Sequence, residues 1–229
     1  MLLRRIFVAN WPNTFLLSAT RRLCWRAYHS TTANPLGPSI MNQTRPRRVA
    51  TEPLEANYIP SLHQATHQVL WIGCSDSNPR ESNVFDFLPD QLLVLRNIGN
   101  MIVNDDLSSE TAIKHAVVDL QVRHIVVCGH YGCGIVKTAS RDGLKGPWLY
   151  HYSKLNSLYA AHEEDINKAP VTERDRSFVE LNVLDQLRSL RKFTEVIDAI
   201  KNGHLQIHGL VYDTKTERAY RMLEGQQSS

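Results

Sequence analysis

Two short stretches of the sequence carry side chains suited to holding a metal ion. In "IGCSDSNPRES", Ile72 to Ser82, Cys74, Asp76 and Arg80 fall within seven residues. In "CGHYGCG", Cys128 to Gly134, two residues separate His130 from Cys133, and Gly132 and Gly134 give the turn its freedom. Two thiolates, one imidazole and one carboxylate make a tetrahedral donor set suited to zinc. Either pair alone is a common coincidence; both at the ends of adjacent strands would make a site. Closed four-donor sites hold folds together, whereas three protein donors leave a position for chemistry. The residue types alone leave both open.

Hydrophobic patterning supplies the elements that must position these residues. "HQVLWIG" (67–73) is a short apolar run ended by glycine, as a buried parallel strand would be. "QLLVLRNIG" (91–99), "HIVVCGH" (124–130) and "LQIHGLVYD" (205–213) repeat the pattern, and "ERAYRM" (217–222) alternates as a short fifth strand at an edge would. Between them, "SSETAIKHAVVDLQV" places Ala112, Ile113, Ala116, Val117 and Leu120 at helical spacing. Its serines are candidate N-caps, and Glu110 falls in the first turn. Helical patterning returns from Trp148 to His162. A long helix is expected from Arg174, with Phe178, Leu181, Leu184, Leu187, Leu190, Phe193, Ile197 and Ile200 as its buried stripe and Gly203 at its end. Strands alternating with helices predict an α/β fold: a mostly parallel four-stranded sheet flanked by helices, with the short fifth edge strand beside it. Ligands of such sheets gather at the carboxyl ends of the strands, which brings Cys74 and Asp76 towards His130 and Cys133. Cys128, inside its strand, reads as core, His124 as a surface or supporting residue, and His208 as a packed or hydrogen-bonded histidine.

A hydrophobic content of 42% and a charged content of 21% are ordinary for a globular protein. The formal charge of +3 is unevenly placed: Met1 to Ala50 contains eight arginines and no Asp or Glu. Without the five arginines before residue 30 the balance is slightly acidic, so no nucleic-acid partner is expected. Residues 1–35 have the arginine-rich, hydroxyl-rich, acid-free composition of a mitochondrial transit peptide, which predicts a matrix location. The run "FLLSA" is too short to span a membrane, and no membrane partner is expected. Residues 36–57 read as a linker or N-terminal arm, and 58–229 as the zinc-binding domain. Of the four cysteines, Cys24 lies in the presumed leader; the other three fit metal binding or burial better than a disulfide framework.

"LWIGCSDS", "LRNIGN", "HIVVCGHYGCG", "NVLDQ" and "LQIHGLVYD", in this order and spacing, closely resemble the motifs of β-class carbonic anhydrases. The resemblance runs from about Tyr58 to Met222. It implies the β-carbonic anhydrase fold, homodimers or homotetramers, and one zinc ion per chain held by Cys74, His130 and Cys133. It also implies reversible hydration of carbon dioxide to bicarbonate and a proton. Asp76 has two implied roles: fourth metal ligand, or, when an arginine pairs with it, a catalytic carboxylate held off the metal.

The sequence departs from the family at that arginine. The family pattern is C-x-D-x-R, but position 78 is Asn, and the nearest arginine is Arg80, behind Pro79. Glu81 still stands where the family has an acid. Asparagine offers neutral hydrogen bonds and no bidentate charged fork. Pro79 also restricts Asn78 to extended geometry. Arg80 is the remaining catalytic candidate beside Asp76. Ile135 replaces a family glycine, and the region before Tyr58 is short for the helix that embraces a partner subunit in many members. The expectation is a carbonic anhydrase of reduced activity. The alternatives are a member whose zinc is closed by Asp76, with a structural or interaction role, and hydrolysis of a carbon dioxide-like substrate such as carbonyl sulfide or carbon disulfide.

Overall fold

The structure, a computed structural model, describes residues 50–55, 58–60, 67–77, 81–85, 87–103, 106–141 and 149–223. The presumed leader, Asn78, Pro79, Arg80, Trp148 and the polar tail lie outside the described residues.

The described strands form one six-stranded sheet in the order β1-β6-β5-β4-β2-β3. Here β1 is Ala50–Pro53, β2 Val69–Cys74, β3 Leu92–Asn97, β4 His124–His130, β5 Gln206–Asp213 and β6 Arg218–Leu223. β3, β2, β4 and β5 run parallel, as the four apolar runs predict. β6 is antiparallel to β5 and is not an edge: β1 pairs antiparallel with it, Ala50 opposite Leu223 and Pro53 opposite Tyr220. The expected edge strand is thus covered by part of the expected arm. Four residues ending in proline carry no alternation to read, and the edge is where a strand tolerates proline.

The helices are α1 (Leu107–Lys114, continued by a wide π turn over His115–Asp119), α2 (Gly134–Arg141), α3 (Leu149–Lys168), α4 (Val171–Leu190) and α5 (Thr194–Lys201). The cap of α1 is Asp106 rather than a serine: its Oδ1 accepts from Ser108 N–H at 3.2 Å, and its Oδ2 from the Ser109 hydroxyl. The long helix expected from Arg174 is two helices. Arg191 N–H returns to the Leu187 carbonyl, and Phe193 takes up extended backbone before α5 starts. Both pieces face the same core, but Val196 rather than the expected Ile197 is the buried residue of α5, a shift across the break that periodicity cannot show.

Side chains alternate across the sheet. Leu70, Ile72, Ile125, Val127 and Val211 meet helix residues including Phe178, Leu187, Leu190 and Val196; Val69, Trp71, Val126 and Leu210 meet Ile59, Phe85 and Phe87 on the other face. α4 lies close over the sheet where β4 and β5 carry glycine. A Cβ on Gly129 would stand 2.7 Å from Val183 Cγ2, and one on Gly209 2.8 Å from Leu187 Cδ1. This packing holds the carboxyl end of β4 under α4, one residue before His130.

Candidate metal centre

Cys74 is the last residue of β2 and His130 the last of β4, so adjacent central strands deliver both to the same end of the sheet. The chain then turns through Tyr131 and Gly132, and Cys133 stands immediately before α2. The donor atoms of Cys74, His130 and Cys133 lie within 4.8 Å of one another, and all three residues are buried. The two sulfurs are 3.9 Å apart. His130 Nε2 is buried with no hydrogen-bond partner among the described residues. An orphaned buried nitrogen is costly, and a metal ion would satisfy it.

The two thiols share one hydrogen bond and are shifted in opposite directions. The hydrogen bond shared with Cys133 draws the Cys74 thiol below the ordinary thiol range, against an upward push from burial. His130 and the N–H groups of Gly99 (3.2 Å) and Asp76 (3.4 Å) pull it the same way. The shared bond, then burial and the Cys74 charge, hold Cys133 well above the ordinary thiol range. Cys74, which receives two backbone N–H groups, is the better placed of the pair to carry thiolate charge, and metal binding takes the thiolate form of both. Two sulfurs and one unpartnered imidazole nitrogen, buried and close together, fit zinc.

Asp76 is not one of the three clustered donors. It is exposed, and its Oδ2 accepts the Gly134 N–H at 2.7 Å. A Cβ at position 134 would stand 2.9 Å from that oxygen, so a larger residue there would push the carboxylate aside. Ile135 packs towards Gly99, its Cγ2 3.4 Å from where a Cβ on Gly99 would lie. Cys128 is buried and gives its S–H to the Gly129 carbonyl, as a core cysteine should.

Several residues that shape the centre were not singled out by sequence reasoning. Arg96 Nη1 donates to the carbonyls of Cys74 (3.0 Å) and Ser77 (3.2 Å), spanning the turn that carries Asp76. Its Nη2 pairs with Glu81 at 2.7 Å. Beside His130, the Tyr131 hydroxyl donates to Glu180 at 2.6 Å, and Arg176 stacks 3.6 Å from the Tyr131 ring centre while bonding Asp213. Burial pushes Glu180 up, against the hydrogen bond from Tyr131 and the charge of Arg176.

The carbonic anhydrase family model matches residues 69–219, a span that contains every donor just described. The chain belongs to the β-class carbonic anhydrase family. It is 37% identical over 153 residues to a carbonic anhydrase of Emericella nidulans, covering 65% of this chain and 66% of that one. The aligned part thus spans just under two thirds of that relative's length. Among solved structures, a β-carbonic anhydrase of Aspergillus fumigatus is 41% identical with a TM-score of 0.66, covering 76% of this chain and 99% of that one. One of two tetrameric β-carbonic anhydrases of Sordaria macrospora is 31% identical with a TM-score of 0.65, covering 69% and 82%. β-Carbonic anhydrases are zinc enzymes, and in this member Cys74, His130 and Cys133 form the cluster that can hold the ion.

Proposed function

We propose that this β-carbonic anhydrase interconverts carbon dioxide and bicarbonate at a zinc ion held by Cys74, His130 and Cys133, with Asp76 as its catalytic carboxylate. Family membership supports the reaction. The observation that carries the assignment of roles is the Gly134 N–H bond to Asp76, which gives the carboxylate a partner other than the metal. Zinc with three protein donors keeps one position for water and lowers that water's pKa from 15.7 to about 7. The residues do the rest. Cys74 and Cys133 supply charge, His130 supplies its unpaired Nε2, and the α2 N-terminus orients Asp76 to accept a hydrogen bond from a reacting water.

The reading includes a reduced rate. An arginine at position 78 would hold Asp76 with a charged fork; Asn78 has only neutral donors to offer. Arg80 is the nearest cation in the sequence and the candidate replacement. The acid-free, arginine-rich stretch before residue 36 supports a transit peptide and a matrix location, ahead of an arm at 36–57 and the enzyme domain at 58–229. Of the two expected assemblies, homodimer and homotetramer, the tetrameric Sordaria macrospora relative supports the second.

Stopped-flow hydration of carbon dioxide by zinc-loaded protein tests the activity. Turnover above the buffer rate is expected, and Asn78→Arg is expected to raise it about tenfold or more, the worth of one charged hydrogen bond. A parent rate equal to buffer from about pH 7 to 9, where the bound water should ionise, contradicts the proposal.

A further inference from the structure

Gly99 gives the Cys74 sulfur its shortest N–H contact, 3.2 Å, and does so from a left-handed backbone at φ +77°. A glycine can rotate away from such a geometry easily, so something must hold it. Its carbonyl accepts Asn182 Nδ2 at 2.9 Å, from α4. Asn182 is 1% exposed, and its Oδ1 accepts Gln186 Nε2 at 2.8 Å. Gln186, fully buried, accepts the Ile102 N–H on its Oε1 at 2.8 Å. Lys154 of α3 donates to the Ile102 carbonyl at 3.0 Å and to Ser189 Oγ at 2.6 Å. The Asn97 side chain closes the same segment from within, with two 2.7 Å bonds to the Met101 N–H and carbonyl. Residues 99–102 are thus fixed at both ends by side chains of two helices.

Apolar residues would pack α4 against the sheet without the desolvation cost of a buried amide pair. Asn182 and Gln186, one helical turn apart, instead spend their hydrogen bonds on the backbone of residues 99–102, the segment whose first N–H meets Cys74. Fixing the Gly99 carbonyl restricts ψ at that residue, and with it the swing of the adjoining peptide. We propose that Asn182 is a positioning residue for the metal centre: through the Gly99 carbonyl it keeps the Gly99 N–H on the Cys74 sulfur. In doing so it sets how much charge that sulfur gives a bound ion. The inference rests on Cys74 being a metal donor.

The probe is Co²⁺ alone, loaded into the full chain in place of zinc, because its thiolate charge-transfer band reports the charge on sulfur. In Asn182→Leu the band is expected to move to lower energy as the N–H leaves the sulfur. Zinc affinity, read by competition with a chelator, is expected to weaken about 10- to 100-fold, the usual cost of losing a partner of a metal ligand. Phe178→Leu, a packing loss elsewhere on α4, should lower the Tm and leave the band in place. A folded Asn182→Leu with the parent's band and affinity overturns the inference while leaving the metal assignment intact. A parent with no thiolate-to-cobalt band overturns the metal assignment itself, and the inference with it. Should Asn182→Leu not fold, Gln186→Glu takes its place: it keeps an acceptor for Ile102 N–H and removes the donor that orients Asn182. The same shift is expected at smaller size, and an unmoved band overturns the proposal.

Discussion

β4 begins with one histidine and ends with another, and the two ends of the sheet treat them in opposite ways. At the start, His124 Nδ1 lies 3.1 Å from His208 Nε2, and His208 Nδ1 lies 3.0 Å from the Tyr58 hydroxyl. The rings pack tilted and edge-on against one another, and Arg221 lies 5.1 Å from the Tyr58 ring centre. Both ring nitrogens of His208 therefore have partners. At the other end, His130 is more deeply buried, its Nε2 has no partner among the described residues, and two cysteine sulfurs stand beside it. Histidine content alone does not mark a metal site. The mark is a buried nitrogen left unsatisfied next to other soft donors, and only the carboxyl end of the sheet has it among the described residues.

The largest expected effect breaks the metal end. Cys74→Ser should reduce bound zinc, by elemental analysis, from about one ion per chain to below about a tenth. It should also remove the stabilisation that zinc provides, about 4 kcal/mol at free zinc a thousandfold above the dissociation constant. Replacing His208 should leave the zinc content alone. Zinc at the parent level in Cys74→Ser would remove Cys74 from the donor set.

The smaller effect belongs to the closed end. Burial, then His124 and Arg221, press His208 down from 6.5 to about 4, and His124 is lowered too, by burial and Arg123. The unfolded chain therefore binds protons before the folded one does. Stability from this cluster is complete above about pH 6.5 and drains away as the pH falls towards 4, by about 3 kcal/mol at most for His208. His208→Phe should cost about 1 kcal/mol at neutral pH through lost hydrogen bonds and flatten that acid limb. Thermal unfolding followed across this range checks it, and an acid limb of unchanged steepness would show that the cluster does not titrate as described.

The same contrast explains what could be read from the sequence. Cys74, His130 and Cys133 were legible because soft ligands at the ends of β-branched runs have few other reasons to recur together. β4 itself, His124 to His130, was legible to the residue because an unbroken apolar run bounded by polar residues admits one reading. Asn182 and Gln186 were not legible as part of the centre: their partners lie 83 and 84 residues away along the chain. The available signal was two amides one turn apart amid the apolar stripe of α4. Arg96 was hidden in a strand that otherwise reads as apolar. The break between α4 and α5 was invisible because both helices face the same core. β1 was invisible because its pairing depends on β6 rather than on its own four residues.

The proposed metal donors are two sulfurs and one histidine at the carboxyl end of the sheet, not the histidine pair at its start. X-ray absorption at the zinc edge of the loaded protein measures this directly. Two sulfur scatterers at about 2.3 Å and nitrogen or oxygen scatterers at about 2.0–2.1 Å are expected. A shell of nitrogen and oxygen alone would contradict that donor set.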